Sequence, residues 1–371
     1  MERLLAAKAA FTTRRVVIDA LFAETEPMLL SGAVRPRSGD LVLARVDRIG
    51  HHGRIELPSG RRARLHLGDE ILVVYGDRYA PDQFESEVPL NLSKTHLVAS
   101  GGIASTVLSR SDAVRRATEI TPIGLVGDRF GIPVNIADFA ILSREPSTER
   151  PPTIAVLGTS MNSGKTTAVQ SLVRGARRAG GKPGATKVTG TGSGADYWVM
   201  VDAGAHRVVD FTDGGLASTY RVPFDIVEST AISLIDYLTD SGCTEIVVEV
   251  ADGLFQGETA QLLQTGSFRE HIDGVIFAAS DAMGAVAGGR YLLDHDAPLV
   301  GITGVFTRSP LGQREAMENS DVPILCAQDL ADPHIAAMLF KGSTIDLSVG
   351  ERLDDEGDWN GARSPSMGDR L

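Results

Sequence analysis

One stretch limits what this chain can fold into more than any other: Thr153-Ile-Ala-Val-Leu-Gly-Thr-Ser-Met-Asn-Ser-Gly-Lys-Thr-Thr167. Ile154 to Leu157 is an apolar run of the length of a buried strand. Gly158 ends it, a loop of small residues follows, and Gly164-Lys165-Thr166-Thr167 opens a helical segment that runs to about Ala179. Strand, glycine-bounded loop and Gly-Lys-Thr at a helix start is the layout of a phosphate-binding loop. The residue types suit that chemistry. Gly164 lets backbone approach phosphate oxygens, and the first N–H groups of the helix point at negative charge. Lys165 supplies a cation for the β- and γ-phosphates, and the Thr166 hydroxyl is a Mg²⁺ ligand. The bland alternative is a surface turn before a helix. The flanking strand and helix argue against it. Gly158, Thr159, Asn162, Ser163, Gly164, Lys165, Thr166 and Thr167 are therefore the candidate nucleotide-binding residues.

Five residues separate Gly158 from Gly164, so Thr159 stands at the strict first-glycine position of the common pattern. Two later segments follow strand-like runs: Lys187-Val-Thr-Gly190 and Val247-Val-Glu-Val-Ala-Asp-Gly-Leu254. Together with the loop spacing, they resemble the dethiobiotin synthetase family and its relatives in the SIMIBI branch of P-loop NTPases. The resemblance covers about residues 150–340 and none of residues 1–145. It implies ATP and Mg²⁺ as cofactors, Glu249 as a metal ligand, a substrate- or phosphate-facing Lys187, and a homodimer. ATP rather than GTP rests on this resemblance, and no clear Asn-Lys-x-Asp guanine-reading motif is present.

A chain of 371 residues is comfortable for two domains. Hydrophobic residues make up 43%, a globular rather than a disordered composition. The net charge of −12 argues against a general nucleic-acid binder. Cys243 and Cys326 are isolated, which makes neither a disulfide framework nor a zinc site and fits a reducing, cytoplasmic setting. No apolar run approaches the length of a membrane span, and the first residues lack the apolar core of a signal peptide.

Residues 1–32 read as a helical packing arm. Residues 38–76 read as short strands separated by glycine turns, which suggests a small antiparallel barrel. Eight arginines stand between Arg35 and His66 against Asp40, Asp47 and Glu56. An arginine face on a small barrel has the charge to meet nucleic acid. It equally makes a solvated or docking face, and few aromatics are at hand for base stacking. Gly101-Gly102 opens a candidate helix to Ser109, and residues 120–126 and 132–136 form a candidate hairpin. Residues 143–152, with three prolines, read as a linker.

From Thr153 strands alternate with helices. Strand candidates are 153–158, 184–189, 244–250, 273–279, 298–304 and 322–327. Helix candidates are 164–179, 223–241, 258–270, 281–294, 310–318 and 330–340. Such alternation means a mostly parallel sheet covered on both faces, with ligands at the carboxyl ends of its strands. Residues 190–222 interrupt the pattern with glycines, hydroxyls and carboxylates, a substrate-reading loop or an ordinary surface loop.

Glu249 ends an apolar strand. A carboxylate there is costly unless paired or metal-bound, and Mg²⁺ is the natural compensation. Asp252 is the second candidate. Asp202, Asp210 and Asp213 are candidates for a further contact, with no spacing that separates them. Glu258 reads as the acidic start of a helix.

The expected fold is thus α/β: a P-loop NTPase with a mostly parallel sheet over residues 150–342, preceded by a small β-barrel-like domain over residues 1–145 and followed by a disordered tail, 343–371. The expected catalytic residues are Lys165, Lys187 and Glu249, and the expected metal ligands are Thr166, Glu249 and Asp252. The expected activity is ATP- and Mg²⁺-dependent transfer of the γ-phosphate to, or activation of, a small polar substrate. The alternative is a nucleotide-dependent ATPase switch whose barrel binds a protein or RNA partner.

Overall fold

The computed structural model describes residues 2–16, 27–141 and 150–342. The expected tail at 343–371, most of the 143–152 linker and the middle of the N-terminal arm lie outside the described residues.

Six parallel strands form the C-terminal sheet, in the spatial order Arg207–Asp210, Pro183–Lys187, Glu245–Glu249, Thr153–Gly158, Gly274–Ala279, Leu299–Gly304. Thr153–Gly158 and Gly274–Ala279 are buried along their whole length, as strands covered on both faces must be. On one face Leu157, Val248 and Phe277 pack with Val227, Ala231, Leu234 and Leu238 of the helix Phe224–Asp240. On the other face Val156, Val247 and Ile276 meet Val169, Leu172 and Val173 of the helix Lys165–Arg178, with Leu339 and Phe340 of the helix Pro333–Phe340 behind it. Each helix presents one apolar stripe, which is why two separate cores flank one sheet.

The N-terminal unit is a closed barrel. Leu41–Arg48 pairs with Glu70–Tyr75 on one side and with Thr118–Gly127 on the other. Thr118–Gly127 continues to Thr95–Ala99, and that strand to Ile103–Arg110. Ile103–Arg110 returns to Glu70–Tyr75 through the parallel pairs Val74–Ile103 and Tyr75–Ala104. Closure removes the free edges that short strands would otherwise expose. The closing pair is parallel, so the barrel is not wholly antiparallel.

Several expectations are corrected. Residues 103–110 are a strand and not a helix, since Ile103, Thr106 and Val107 favour a pleated surface and three neighbouring strands pair with the segment. Arg54–Glu56 and Arg62–Arg64 form a separate two-stranded ribbon rather than barrel staves. Residues 322–327 reduce to a single bridge, Ile302–Ile324, because Pro323 removes a ladder donor. The helix expected over 330–340 is split into Ala327–Ala331 and Pro333–Phe340, with the break at Pro333. Among the described residues of the arm, Glu2–Ala6 and a short 3-10 turn at Phe11–Thr13 are helical, and Met28–Leu30 is a strand pairing with Leu125–Gly127. The 190–222 region holds a helix, Gly194–Asp202, and the edge strand Arg207–Asp210.

The two units are docked by buried polar contacts. Arg14 reaches Asp210 at 2.9 Å and also pairs with Asp213, while its guanidinium lies 4.0 Å over the Phe11 ring. Glu56 Oε2 accepts the backbone N–H of Gly194 at 2.7 Å, placing a carboxylate at the start of the Gly194–Asp202 helix. Gly101 lies so close to the Gly192 carbonyl that a Cβ would come within 2.1 Å of it. The barrel is thereby held over the carboxyl ends of the C-terminal strands.

Candidate functional site

The candidate phosphate loop runs from Gly158 to Gly164, between the buried Thr153–Gly158 strand and the Lys165–Arg178 helix. Gly164 stands at the N-cap with φ of 104° and no side chain capping the helix, so the first N–H groups are left for an external acceptor. A Cβ at Gly158 would lie 2.4 Å from Ser163 Oγ and 2.9 Å from the Ala278 carbonyl. Asn162 holds the left-handed region with φ of 62°, and its side-chain amide donates to Asp82 of the barrel at 2.9 Å. The buried hydroxyls of Thr159 and Ser163 have no hydrogen-bond partner.

Lys165 is 6% exposed and donates to the carbonyls of Ser160 at 2.8 Å and Asp252 at 3.0 Å. Burial lowers its pKa from the ordinary lysine value, and Lys187 adds to that; Glu249 opposes. A lysine curled onto neutral carbonyls in a dry site is a cation short of a counter-charge.

Lys187 and Glu249 are register partners on adjacent strands. Lys187 forms an ion pair with Asp196 and lies 3.7 Å from Glu249 Oε1. Burial alone would lower the Lys187 pKa, but Asp196 and Glu249 more than offset it and raise it well above the ordinary value. Glu249 is 1% exposed. Burial raises its pKa, with Lys187 and Lys165 opposing, and its Oε2 has no partner. Asp252 sits with φ of 65° and lines the same cavity; burial raises its pKa too.

Thr166 Oγ1 is 3.2 Å from both Glu249 Oε1 and Asp196 Oδ1. One hydroxyl hydrogen cannot serve two carboxylates, so the oxygens that converge there exceed the available protons. Hard oxygen donors at such a point fit Mg²⁺, which takes one or two protein carboxylates and draws its remaining ligands from water and phosphate. Thr166, Glu249 and Asp196 are the residues that would hold it.

The residues singled out in the phosphate loop, Lys187, Glu249 and Asp252 are thus gathered on one face. Asp196 is the site residue that the sequence reading misses: it pairs with Lys187 and lies 3.2 Å from the Thr166 hydroxyl. Burial would raise its pKa, but Lys187 holds it below the ordinary carboxylate value. Its signal was available in Ser193-Gly-Ala-Asp196 before an apolar run, a helix-start pattern, and Ser193 does cap the Gly194–Asp202 helix. Asp210 and Asp213 lie in the Arg14 contact instead, and Asp202 ends its helix at the exposed surface. Glu258 falls in the first turn of the helix Gly257–Gln264, as its reading predicts.

Above the loop lies a cavity of about 620 Å³, shared between the two units. Lys165, Thr166, Lys187 and Asp252 form its floor, and His52, Arg78, Gln83 and Ser100 of the barrel contribute the facing wall. Among the described residues no helix is long and apolar enough to cross a membrane.

No family model matches the chain, and no curated protein matches it. Solved structures do. The signal recognition particle receptor FtsY from Elizabethkingia anophelis in complex with GDP matches at 14% identity and a TM-score of 0.35, covering 54% of this chain and 66% of that one. The signal recognition particle 54 kDa protein from Aeropyrum pernix K1 in complex with GDP matches at 19% identity and a TM-score of 0.36, over 55% of this chain and 50% of that one. The cell division protein FtsY from Thermotoga maritima matches at 14% identity and a TM-score of 0.36, over 55% and 74%. The chain therefore spans about half to three quarters of the length of these structures.

Proposed function

We propose that this protein is a Mg²⁺-dependent P-loop enzyme that transfers the γ-phosphoryl group of a nucleoside triphosphate to, or uses it to activate, a small polar acceptor. The observation that supports this reading is the shared cavity. A phosphate loop alone needs no second wall, and here a barrel is docked by buried contacts so that its polar side chains face Lys165 and Lys187. The volume of about 620 Å³ suits a small ligand beside nucleotide phosphates.

In this reading the chain's own groups act by position and charge. The loop N–H groups and Lys165 bind the β- and γ-phosphates, releasing Lys165 from the Ser160 and Asp252 carbonyls. Lys187, kept protonated by Asp196 and Glu249, faces the group in transfer and balances its charge. Mg²⁺ held at Thr166 would supply charge neutralisation between the phosphates. The barrel wall excludes water and orients the acceptor.

The second reading is a nucleotide-dependent switch. The Asn162–Asp82 hydrogen bond favours it, since it ties the strained loop residue to the barrel and would change with the phosphate. The two are separated by phosphate release from ATP and from GTP, each alone, with a panel of small polar acids, and with protein or RNA. Turnover that appears only with a small acceptor supports the enzyme. Slow intrinsic turnover accelerated only by a macromolecule overturns it in favour of the switch. We expect no RNA binding, because Arg45, Arg48 and Arg62 of the arginine-rich segment are ion-paired within the barrel unit.

A further inference from the structure

The nucleotide chemistry leaves one buried cation without a task. Arg78 follows the Glu70–Tyr75 strand, is 5% exposed and lines the shared cavity. Its backbone is fixed by two hydrogen bonds with Ser86, each 3.0 Å. Its side chain donates from Nη1 to the Val98 carbonyl and from Nη2 to Gln83 Oε1 at 3.0 Å. Nε has no partner. Nη1 also lies 3.4 Å from His52 Nε2. A guanidinium has five N–H donors, so the Nε–H and the second Nη2–H are left uncommitted.

Among the described residues Arg78 forms no ion pair, unlike Arg14 and Arg62, whose carboxylates are Asp210, Asp213 and Glu56. An arginine cannot shed its proton to escape burial, and an unpaired buried charge is expensive. Its neighbour gives no relief. His52 donates from Nε2 to the same Val98 carbonyl at 2.8 Å. Burial, and then the positive charge of Arg78, push its pKa down to about 3, so the imidazole is neutral. Burial also pulls Arg78 down to about 10, with Asp82 and Asp252 opposing only through space. Arg78, Lys165 and Asp252 line one and the same cavity.

We propose that Arg78 is the anion anchor of the acceptor subsite, binding a carboxylate of the small substrate across the cavity from the phosphate loop. A planar fork of N–H donors in a dry wall matches a carboxylate better than a point charge does. The proposal deepens the enzyme reading, which supplies the neighbour but not the anion site itself. The same oxyanion chemistry has a second source, the nucleotide's own γ-phosphate, and the experiment separates the two.

The full-length chain is saturated with Mg²⁺ and ADP and titrated calorimetrically with malonate, succinate, glutarate and inorganic phosphate. Arg78→Gln and Arg78→Lys are treated alike, and binding of ADP and of a non-hydrolysable ATP analogue is measured for each. The expected result is that at least one dicarboxylate binds the wild type. Arg78→Gln then weakens it at least about tenfold and Arg78→Lys by an intermediate factor, with ADP affinity unchanged within about twofold. Should Arg78→Gln fail to fold, Arg78→Lys decides alone, because it keeps the charge and loses the fork. Dicarboxylate affinity equal in wild type and variant, or no dicarboxylate binding to the wild type, overturns the proposal. Weakened binding of the ATP analogue with ADP and dicarboxylate unaffected also overturns it, assigning Arg78 to the γ-phosphate. If the wild type binds no nucleotide, the enzyme reading fails by itself, and the dicarboxylate titration of the nucleotide-free chain still decides the role of Arg78.

Discussion

Lys187 Nζ lies 3.7 Å from Glu249 Oε1, and the two residues face each other in register on adjacent parallel strands. The sheet itself sets this pair, because parallel register fixes which strand ends share a level. Asp196, from the Gly194–Asp202 helix, completes the grip on Lys187.

Lys165→Ala tests the phosphate loop. Lys165 Nζ donates to the Ser160 and Asp252 carbonyls and forms no ion pair among the described residues, so its loss removes a desolvated cation and no hydrogen bond within the two cores. Turnover should fall at least a hundredfold, about 3 kcal/mol of lost transition-state stabilisation. The melting temperature should stay within a few degrees of wild type. Wild-type turnover in this variant would remove the phosphate-loop assignment.

Glu249→Gln keeps the shape and deletes one charge beside Thr166. Nucleotide should still bind through the loop and Lys165, while turnover drops about a hundredfold, roughly 3 kcal/mol, and partly recovers at high Mg²⁺. A purely structural Glu249 would instead lower the melting temperature and leave turnover per folded molecule near normal. Mg²⁺-dependent turnover and thermal denaturation on one preparation distinguish the outcomes.

Asp196→Asn removes the partner that most raises the Lys187 pKa. Lys187 keeps Glu249 and should stay charged at neutral pH, but the point beside Thr166 loses a carboxylate, so turnover should fall at least about tenfold and partly recover at high Mg²⁺. The alkaline limb of the pH–rate profile should move to lower pH. An unmoved limb would show that Lys187 is not the group titrating there.

Asp213 gives a pH-dependent stability. Burial, and then the neighbouring Asp210, push its pKa up to about 6, with Arg14 opposing. An unfolded aspartate titrates near 3.9. Between those values the folded state holds the proton and the unfolded state does not. The contribution of Asp213 is therefore full below about pH 4 and is lost as pH rises through about 6, on the order of 2 kcal/mol. Asp213→Asn should flatten the melting temperature between pH 4.5 and 7. An unchanged slope in denaturation scans across that range would sink this account.

Much of the C-terminal architecture could be read from the chain because its signals are local. Ile154 to Leu157, the Gly158 stop and the Gly164-Lys165-Thr166 helix start act over a few residues, and periodicity fixed most of the alternating elements. The ribbon carrying Glu56 and the strand at 103–110 were harder. Short glycine-bounded segments of the barrel are assigned by their partners rather than by their own pattern.

By itself, the sequence determined that a strand, a glycine-bounded loop and a helix would follow one another at Thr153–Arg178, and that Lys165, Thr166, Lys187 and Glu249 would stand at strand ends or helix starts on one side of a parallel sheet. Only the tertiary structure decided what faces them. Arg14 and Asp213 are 199 residues apart in the chain, and Asn162 and Asp82 are 80 apart. No local propensity encodes such pairings. They follow from docking two closed cores, which buries Arg78 against the cavity and turns Asp196 from a polar loop residue into the partner of Lys187. Charge burial and pairing depend on that packing, so the barrel side of the cavity is decided only by the docking of the two units.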